Sequence, residues 1–132
     1  ERYGNDLIYK DDAMRRLVQA LKQGRNVGIL PDQKPGPKNS LITTFFGRQC
    51  YTTKTIASLY LKFRPVLIPI FARRGEDDRY EIVIKDFPPL PEGLNKDEAE
   101  LFITQKCNDI FEEVVRTAPQ QWFWIHKRWK MD

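Results

Sequence analysis

Apolar residues recur at helical spacing in three stretches of the chain. The first stretch begins after Asp11, a suitable N-cap, and stops at Gly24, where a helix-ending glycine belongs. Its apolar face consists of Ala13, Leu17, Val18 and Leu21. This pattern predicts a helix of about three turns.

The second and third stretches also carry capping residues. Thr52 or Thr53 can cap the second helix, while Asn95 with Glu98 forms a capping-box-like start for a longer third helix that Pro119 limits. The apolar faces are Ile56, Leu59, Tyr60 and Phe63 in the second helix and Ala99, Phe102, Ile103, Ile110 and Val114 in the third.

Mainly apolar runs between the helices predict strands. Residues 26–30 and 66–71 suit strands covered on both faces, and the helix between them favours parallel pairing through a right-handed crossover. Residues 80–84 alternate apolar and charged side chains after a turn at 75–78, which indicates an antiparallel partner. The predicted fold class is α/β, a mixed and largely parallel sheet flanked by helices.

Composition and charge narrow the class of protein further. Hydrophobic residues make up 41% of the chain, enough for a core, but no apolar run approaches the roughly 20 residues that span a bilayer. Cys50 and Cys107 lack metal-ligand spacing, so two reduced thiols and no metal are expected. The net charge of +4, with cations gathered near residues 15–25 and 126–130, favours an anionic partner such as nucleic acid, phospholipid headgroups or a phosphorylated substrate.

The first segment that could carry chemistry is the loop of residues 31–38, Pro-Asp-Gln-Lys-Pro-Gly-Pro-Lys. It follows the predicted strand 26–30 directly, and open α/β sheets bind ligands at the carboxyl ends of their strands. Asp32 and Gln33 can recognise hydroxyl or amide groups, and the two lysines can contact phosphate. A polar surface turn is the alternative, and the spacing of a P-loop is absent.

The second segment is the tail of residues 120–130, which interleaves large aromatic and cationic side chains. In a helical tail, Trp122, Ile125 and Trp129 would share one face. Such a segment can lie at a bilayer interface, bind phosphate, or close the core with snorkelling charges. The residues assigned here to membrane or phosphate contact are Trp122, Trp124, His126, Lys127, Arg128, Trp129 and Lys130.

His126 is the only histidine, so a histidine base within this chain would have to be this residue. No G-x-S-x-G motif accompanies it. An HxxxxD arrangement needs an acid five positions later, and that position is Met131, with Asp132 one residue too late. We therefore assign no catalytic residue within the chain.

Together these segments resemble the lipid A biosynthesis acyltransferase family, of the lauroyl or myristoyl kind. The ending P-x-Q-W-x-W-x-H-x-R-W, which begins at Pro119, is the most specific part of the likeness. The other matching parts, in order, are the DQ-x-x-GP-K loop, Phe46-Gly47, the Thr52-Thr53 helix start and residues 66–71.

The resemblance implies that residues 1–132 are the C-terminal part of a single acyltransferase domain with a glycerolipid-acyltransferase-like fold. Such an enzyme moves a fatty acyl group from acyl carrier protein to a hydroxyl of a lipid A precursor in lipopolysaccharide biosynthesis. It works at the cytoplasmic face of the Gram-negative inner membrane and needs no cofactor. The family's membrane anchor and HxxxxD/E motif, whose histidine is the general base, would precede Glu1, so the isolated chain is expected to be inactive. The opening Glu1-Arg2-Tyr3-Gly4, without methionine or signal peptide, favours a fragment.

Carried over by position, Arg2 with Gly4 matches the family's R-x-G element, and the loop matches its substrate side. The family often has arginine where Lys38 stands; lysine keeps the charge but loses the bidentate fork. At His126 the sequence matches the family motif, but the resemblance assigns no role to this residue. The expected substrate-binding residues are Arg2, Asp32, Gln33, Gly36, Pro37 and Lys38.

Two alternatives stay open. A small basic nucleic-acid-binding module could stack bases on the aromatic tail, although stacking aromatics usually spread over an open sheet or groove. A related glycerophospholipid acyltransferase would share the loop position, but the tail motif argues against it. The expected partners are acyl carrier protein, a lipid A precursor and the membrane surface, with no nucleic acid.

Overall fold

The computed structural model of the chain describes residues 3–9 and 11–131. Within them lie the helices α1 (Ala13–Lys22), α2 (Thr55–Phe63) and α3 (Lys96–Thr117) and the strands β1 (Ser40–Phe45), β2 (Arg48–Thr53), β3 (Ile70–Arg74) and β4 (Tyr80–Ile84). Two short 3-10 turns, Pro37–Asn39 and Pro119–Gln121, follow the loop glycine and α3, respectively. All three predicted helices are therefore present.

The ends of α1 and α3 follow from their sequences to different degrees. Asn95 accepts hydrogen bonds from the backbone N–H groups of Asp97 and Glu98, both at 3.0 Å, and Glu98 returns one from the Asn95 N–H at 2.9 Å. This capping box was predicted and is confirmed. At α1 the predicted N-cap, Asp11, is wrong: Asp12 occupies that position and pairs with Arg15 instead of capping the helix.

Residues 40–53 form an antiparallel hairpin that the sequence analysis did not predict. Phe46 and Gly47 make its two-residue turn with φ of 49° and 71°, the left-handed geometry that matches the twist of a hairpin. Because Thr52 and Thr53 belong to β2, the predicted start of the second helix at these residues is wrong, and α2 begins at Thr55.

The antiparallel hairpin predicted around the turn at 75–78 is confirmed: β3 pairs with β4, with Ile70 opposite Ile84. The largely parallel sheet is not present in the described part of the chain, where the fold is α/β with two small antiparallel sheets. Residues 26–30 and 66–68 are not assigned as strands and make no backbone-to-backbone hydrogen bond within that part. Each run lacks the neighbouring strand that would complete a ladder.

One side of the second sheet packs against α3, and the other side is open. Phe71 meets Phe111 of α3 with ring centroids 5.0 Å apart, and a cavity of about 140 Å³ lies between this packing and the run around Ile29. The open side, here called the apolar face, consists of Ile70, Tyr80, Ile82 and Ile84, which are all exposed, and Leu30, Val66 and Ile68 of the two apolar runs are exposed as well. The two apolar runs were expected to be covered on both sides, and this structure covers one.

The first sheet and α2 both pack on α3, which is the centre of the described fold. Ile103 on α3 is fully buried, as are Cys50 on β2 and Ala57 on α2. Polar contacts reinforce the packing, since Gln105 of α3 accepts from the Thr44 N–H at 2.8 Å and donates to the Thr44 carbonyl at 3.0 Å. This arrangement places the β1–β2 hairpin where the C-terminal tail can fold over it.

Candidate substrate site at the loop and the tail

The tail after α3 is a series of turns and not a helix. The Trp124 N–H donates to the Trp122 carbonyl at 2.9 Å, and the Arg128 N–H donates to the His126 carbonyl at 2.7 Å, so no regular i to i+4 pattern forms. The tail therefore does not take the helical arrangement in which Trp122, Ile125 and Trp129 would share one face. Instead, its side chains divide between an inner set that enters the molecule and an outer set that faces away.

Arg128 belongs to the inner set, with only 1% of its surface exposed. Its guanidinium donates to the Tyr51 carbonyl, to Thr52 Oγ1 at 2.7 Å and to Asn108 Oδ1 at 3.2 Å. These acceptors come from β2 and from the middle of α3. Buried charges are stable in proteins only when hydrogen-bonded in this way, so Arg128 fixes the tail to the core.

The acceptors of Arg128 are themselves joined in a buried polar network. Asn108 Nδ2 donates to Thr43 Oγ1 at 2.9 Å and to Thr52 Oγ1 at 3.1 Å, and the two threonine hydroxyls lie 2.8 Å apart. These three residues and Arg128 are all at least nine-tenths buried. Desolvation lowers the pKa of the Arg128 guanidinium, while nearby Cys50 and Asp32 act in the opposite direction. An arginine remains charged under such a shift because its ordinary pKa is so high.

Two tryptophans of the tail join Phe45 of β1 in an aromatic cluster. Trp122 meets Phe45 edge to face at 5.2 Å between ring centroids, and Trp129 stacks on it at 5.9 Å. The Trp129 indole N–H donates to the Phe45 carbonyl at 2.8 Å. Rings in these geometries stabilise one another beyond the area that they bury. Trp122, Trp129 and Arg128 are therefore structural residues in this fold.

The outer set of the tail is exposed. Phe123 and Ile125 have 60% and 84% of their surfaces exposed, and Lys127 and Lys130 are exposed as well. Trp124 is 46% exposed and is held by a hydrogen bond from its indole N–H to the Pro119 carbonyl at 2.6 Å. Apolar and cationic groups thus project together from the end of the tail.

His126 connects the tail to the loop of residues 31–38. Its Nε2 atom accepts a hydrogen bond from the Lys34 backbone N–H at 2.6 Å, across 92 positions of sequence. An imidazole nitrogen that accepts carries no proton, so the proton of the neutral ring lies on Nδ1. The contact engages the nitrogen that a general base would need.

The loop itself is partly anchored and partly free. Pro31 is buried and Asp32 is half-buried beside the Arg128 charge, whereas Gln33, Gly36, Pro37 and Lys38 are exposed. Lys34 and Asp32 therefore lie at the tail, and the later loop residues extend away into the Pro37–Asn39 turn. Arg2 lies outside the described residues.

Sequence reasoning missed Thr43, Thr52 and Asn108, which form the buried polar network that Arg128 joins. The available signal was the β-branched and aromatic content of residues 41–45 and 50–53 on either side of Phe46-Gly47. It was hidden because the inward positions are mostly small polar residues and not the apolar ones that usually mark a buried strand face.

In the described part of the chain, no helix is long and apolar enough to cross a membrane. Within the same residues, no group of three or more histidine, cysteine, aspartate or glutamate side chains could hold a metal ion. The candidate site consists of the loop, the tail and the hairpin, which His126 and Arg128 join.

The chain belongs to the bacterial lipid A biosynthesis acyltransferase family, whose sequence profile matches residues 1–131. It is similar to the lipid A biosynthesis myristoyltransferase of Escherichia coli (strain K12), with 30% identity over 127 residues, 96% of this chain and 38% of that protein. The lauroyltransferase of the same organism is 30% identical over 89% of this chain and 38% of its own length, and the palmitoleoyltransferase is 32% identical over 89% and 37%.

These findings confirm the family resemblance drawn from the loop and tail motifs, and they disfavour a nucleic-acid-binding module. The chain spans less than two-fifths of the length of each of these three curated relatives.

Proposed function

We propose that this chain is the C-terminal part of a single acyltransferase domain that transfers a fatty acyl group from acyl carrier protein to a hydroxyl of a lipid A precursor. In this proposal the chain supplies contacts to the substrate and to the cytoplasmic face of the inner membrane. The general base belongs to an HxxxxD/E motif outside it, next to a membrane anchor.

The observation that carries this proposal is the contact between the two motif segments. The loop and the tail carry the family likeness in the sequence, and His126 joins them through the Lys34 N–H at 2.6 Å. The Asp32 carboxylate lies near enough to the buried Arg128 for the two charges to interact. A carboxylate at this position can accept a hydrogen bond from a substrate hydroxyl, and the exposed Lys38 can approach a phosphate group.

The state of the only histidine supports the proposal that the chain holds no histidine base. His126 has Met131 at the position of the required acid, and its Nε2 atom already accepts from Lys34. A histidine in that state cannot take a proton from a substrate hydroxyl through Nε2. In this proposal the loop and the tail bind and orient the substrate, and a base from elsewhere in the domain removes the proton from its hydroxyl.

The apolar face supports the proposal that the domain extends beyond this chain. It exposes four large side chains of the second sheet, and Leu30 and Val66 of the two apolar runs have 90% and 84% of their surfaces exposed. The runs at 26–30 and 66–68 next to it have backbone groups that no strand in the described residues pairs. Exposed patches of this kind mark surfaces that another part of a protein covers.

Membrane contact is assigned to the outer set of the tail. Phe123, Trp124 and Ile125 can enter the headgroup region while Lys127 meets anionic lipid, the combination that favours interfacial binding. The inner residues Trp122, Arg128 and Trp129 contact the rest of the fold and anchor the tail that carries the outer set.

Acyl transfer assays on two forms of the protein test the assignment of the base. The 132-residue chain and the longer protein that contains it are each given an acyl carrier protein thioester and a lipid A precursor. We expect product only with the longer protein. Turnover by the isolated chain would overturn the assignment of the base, and inactivity of both would overturn the proposed reaction.

The loop is tested by Asp32→Ala in the longer protein. We expect kcat/KM for the acceptor to fall about tenfold or more, while the free energy of unfolding changes by only about 1 kcal/mol. Asp86→Ala, which removes an exposed carboxylate elsewhere, is the matched control. Unchanged kinetics in the Asp32 variant would make the loop an ordinary surface turn.

A further inference from the structure

The structure gives His126 a contact that the family motif does not explain. The histidine lies at the end of the tail between the exposed Ile125 and the exposed Lys127, yet it is itself turned inward and partly buried. Its Nε2 atom accepts from the backbone N–H of Lys34. That N–H follows directly after the two loop residues proposed to face the substrate.

His126 and Arg128, two positions apart in the tail, lie near loop residues that are also two positions apart. The charge of Arg128, which Thr52 and Asn108 fix in place, attracts the Asp32 carboxylate. His126 holds the backbone of Lys34 at 2.6 Å. Between these two points the chain has little freedom, because Pro31 is buried before them and Pro35 restricts the backbone after them.

The hydrogen bond also depends on a feature that only some side chains have. The Lys34 N–H needs an acceptor, and the side chain at position 126 must be long enough to bring an acceptor atom to it. The imidazole ring of His126 does this with an unprotonated Nε2. The buried Arg128, two residues later, limits how the tail can shift to compensate for a shorter side chain. A substrate-binding group is effective only when the residues behind it fix its geometry.

We propose that His126 is a positioning residue, which clamps the loop so that Asp32 and Gln33 face the acyl acceptor. This inference rests on the proposed function and assigns to the tail histidine a role in binding geometry, separate from proton transfer. Glutamine can replace it, because its side-chain carbonyl oxygen can accept at a similar reach, whereas alanine cannot.

The contact can be measured in the 132-residue chain without any activity. His126 is the only histidine, so ¹⁵N spectra of its ring nitrogens are unambiguous, and we expect the proton on Nδ1. The Lys34 amide should exchange with solvent at least about tenfold faster in His126→Ala than in the wild type, as expected when a hydrogen bond is lost. Ile125→Ala, at an exposed neighbouring position, should leave that rate unchanged. A proton on Nε2, or equal exchange rates in the His126 variant, would overturn the clamp.

The effect on the reaction is measured in the longer protein. We expect His126→Ala to lower kcat/KM for the lipid A precursor about tenfold while KM for the acyl thioester changes little, and His126→Gln to restore most of the loss. Unchanged kinetics in His126→Ala, or no rescue by glutamine, would overturn the positioning role. A wild-type protein without transferase activity would instead overturn the proposed function and the positioning role with it, while the amide exchange would still report the bond.

Discussion

Arg128 joins segments of the chain that are far apart in sequence. Its guanidinium donates to Tyr51, Thr52 and Asn108, which lie on the hairpin and on α3, and almost none of its surface reaches solvent. A cation in a motif that interleaves aromatic and basic residues was expected to meet lipid or phosphate. At this position the fold itself provides the hydrogen-bond acceptors.

Arg128→Ala should therefore destabilise the chain by about 3 kcal/mol, because the buried acceptors lose charge-assisted hydrogen bonds without gaining water. Urea unfolding followed by circular dichroism measures the change. Lys127→Ala removes an exposed cation one residue earlier and should alter stability by less than about 0.5 kcal/mol. Equal effects of the two substitutions would contradict the structural role of Arg128.

The buried thiol of Cys107 should make the stability of the chain depend on pH in alkaline solution. Burial raises the pKa of this thiol from its ordinary value of 9.0 to about 12, and the charge of Asp109 adds to the shift. Above pH 9 the unfolded chain loses this proton while the folded chain keeps it, so the free energy of unfolding decreases as pH rises towards 12. Cys107→Ala should remove this part of the pH dependence in urea titrations, whereas a parallel decrease in both proteins would exclude the thiol as its source.

Among the elements, the β1–β2 hairpin organises the site. Its turn residues Phe46 and Gly47 both have positive φ, and the Phe46 N–H donates to the Glu112 carboxylate at 2.6 Å. The Arg116 guanidinium lies over the Phe46 ring, 4.9 Å from its centroid. These contacts hold an aromatic residue in a conformation that it rarely adopts, and they orient the hairpin so that its inner face receives the tail.

Gly47→Ala should destabilise the hairpin by about 1–2 kcal/mol, because alanine is strained at a φ of 71°. Gly36→Ala is the matched control, since Gly36 has a φ of −67° and open space where a Cβ would lie. Thermal unfolding of both variants measures the difference. If the two substitutions had the same effect, the turn geometry would not be the cause.

At the level of the whole molecule, the apolar face exposes large apolar side chains that no part of the described chain covers. Ile82 and Ile84 are more than 60% exposed on β4, and Ile70 lies opposite Ile84 on the same side. A patch of this size on an isolated chain favours self-association. In the proposed longer domain the same side chains would be buried.

Ile82→Lys combined with Ile84→Lys separates these two situations. In the isolated chain the pair should reduce self-association in sedimentation experiments and leave the midpoint of thermal unfolding nearly unchanged. In the longer protein it should lower the folded yield, because two charges would have to be buried without partners. Glu76→Lys adds the same two units of charge at an exposed turn and is the control. A longer protein that tolerates the paired change would show that the face stays open.

The sequence by itself determined the features that depend on neighbouring residues. The three helices follow from apolar spacing, and the capping box of α3 from Asn95 and Glu98. The β3–β4 hairpin follows from alternation on both sides of a turn. The family was also recognisable, since its loop and tail motifs are short and ordered along the chain.

Only the tertiary structure decided where distant groups meet. The parallel sheet was expected from two apolar runs, but strand pairing depends on a neighbour that the runs do not specify. The polar face of the first hairpin makes sense only once Arg128 is placed against it, 76 residues away from Thr52. The role of His126 likewise depends on Lys34, because a hydrogen bond across 92 positions leaves no local pattern in the sequence.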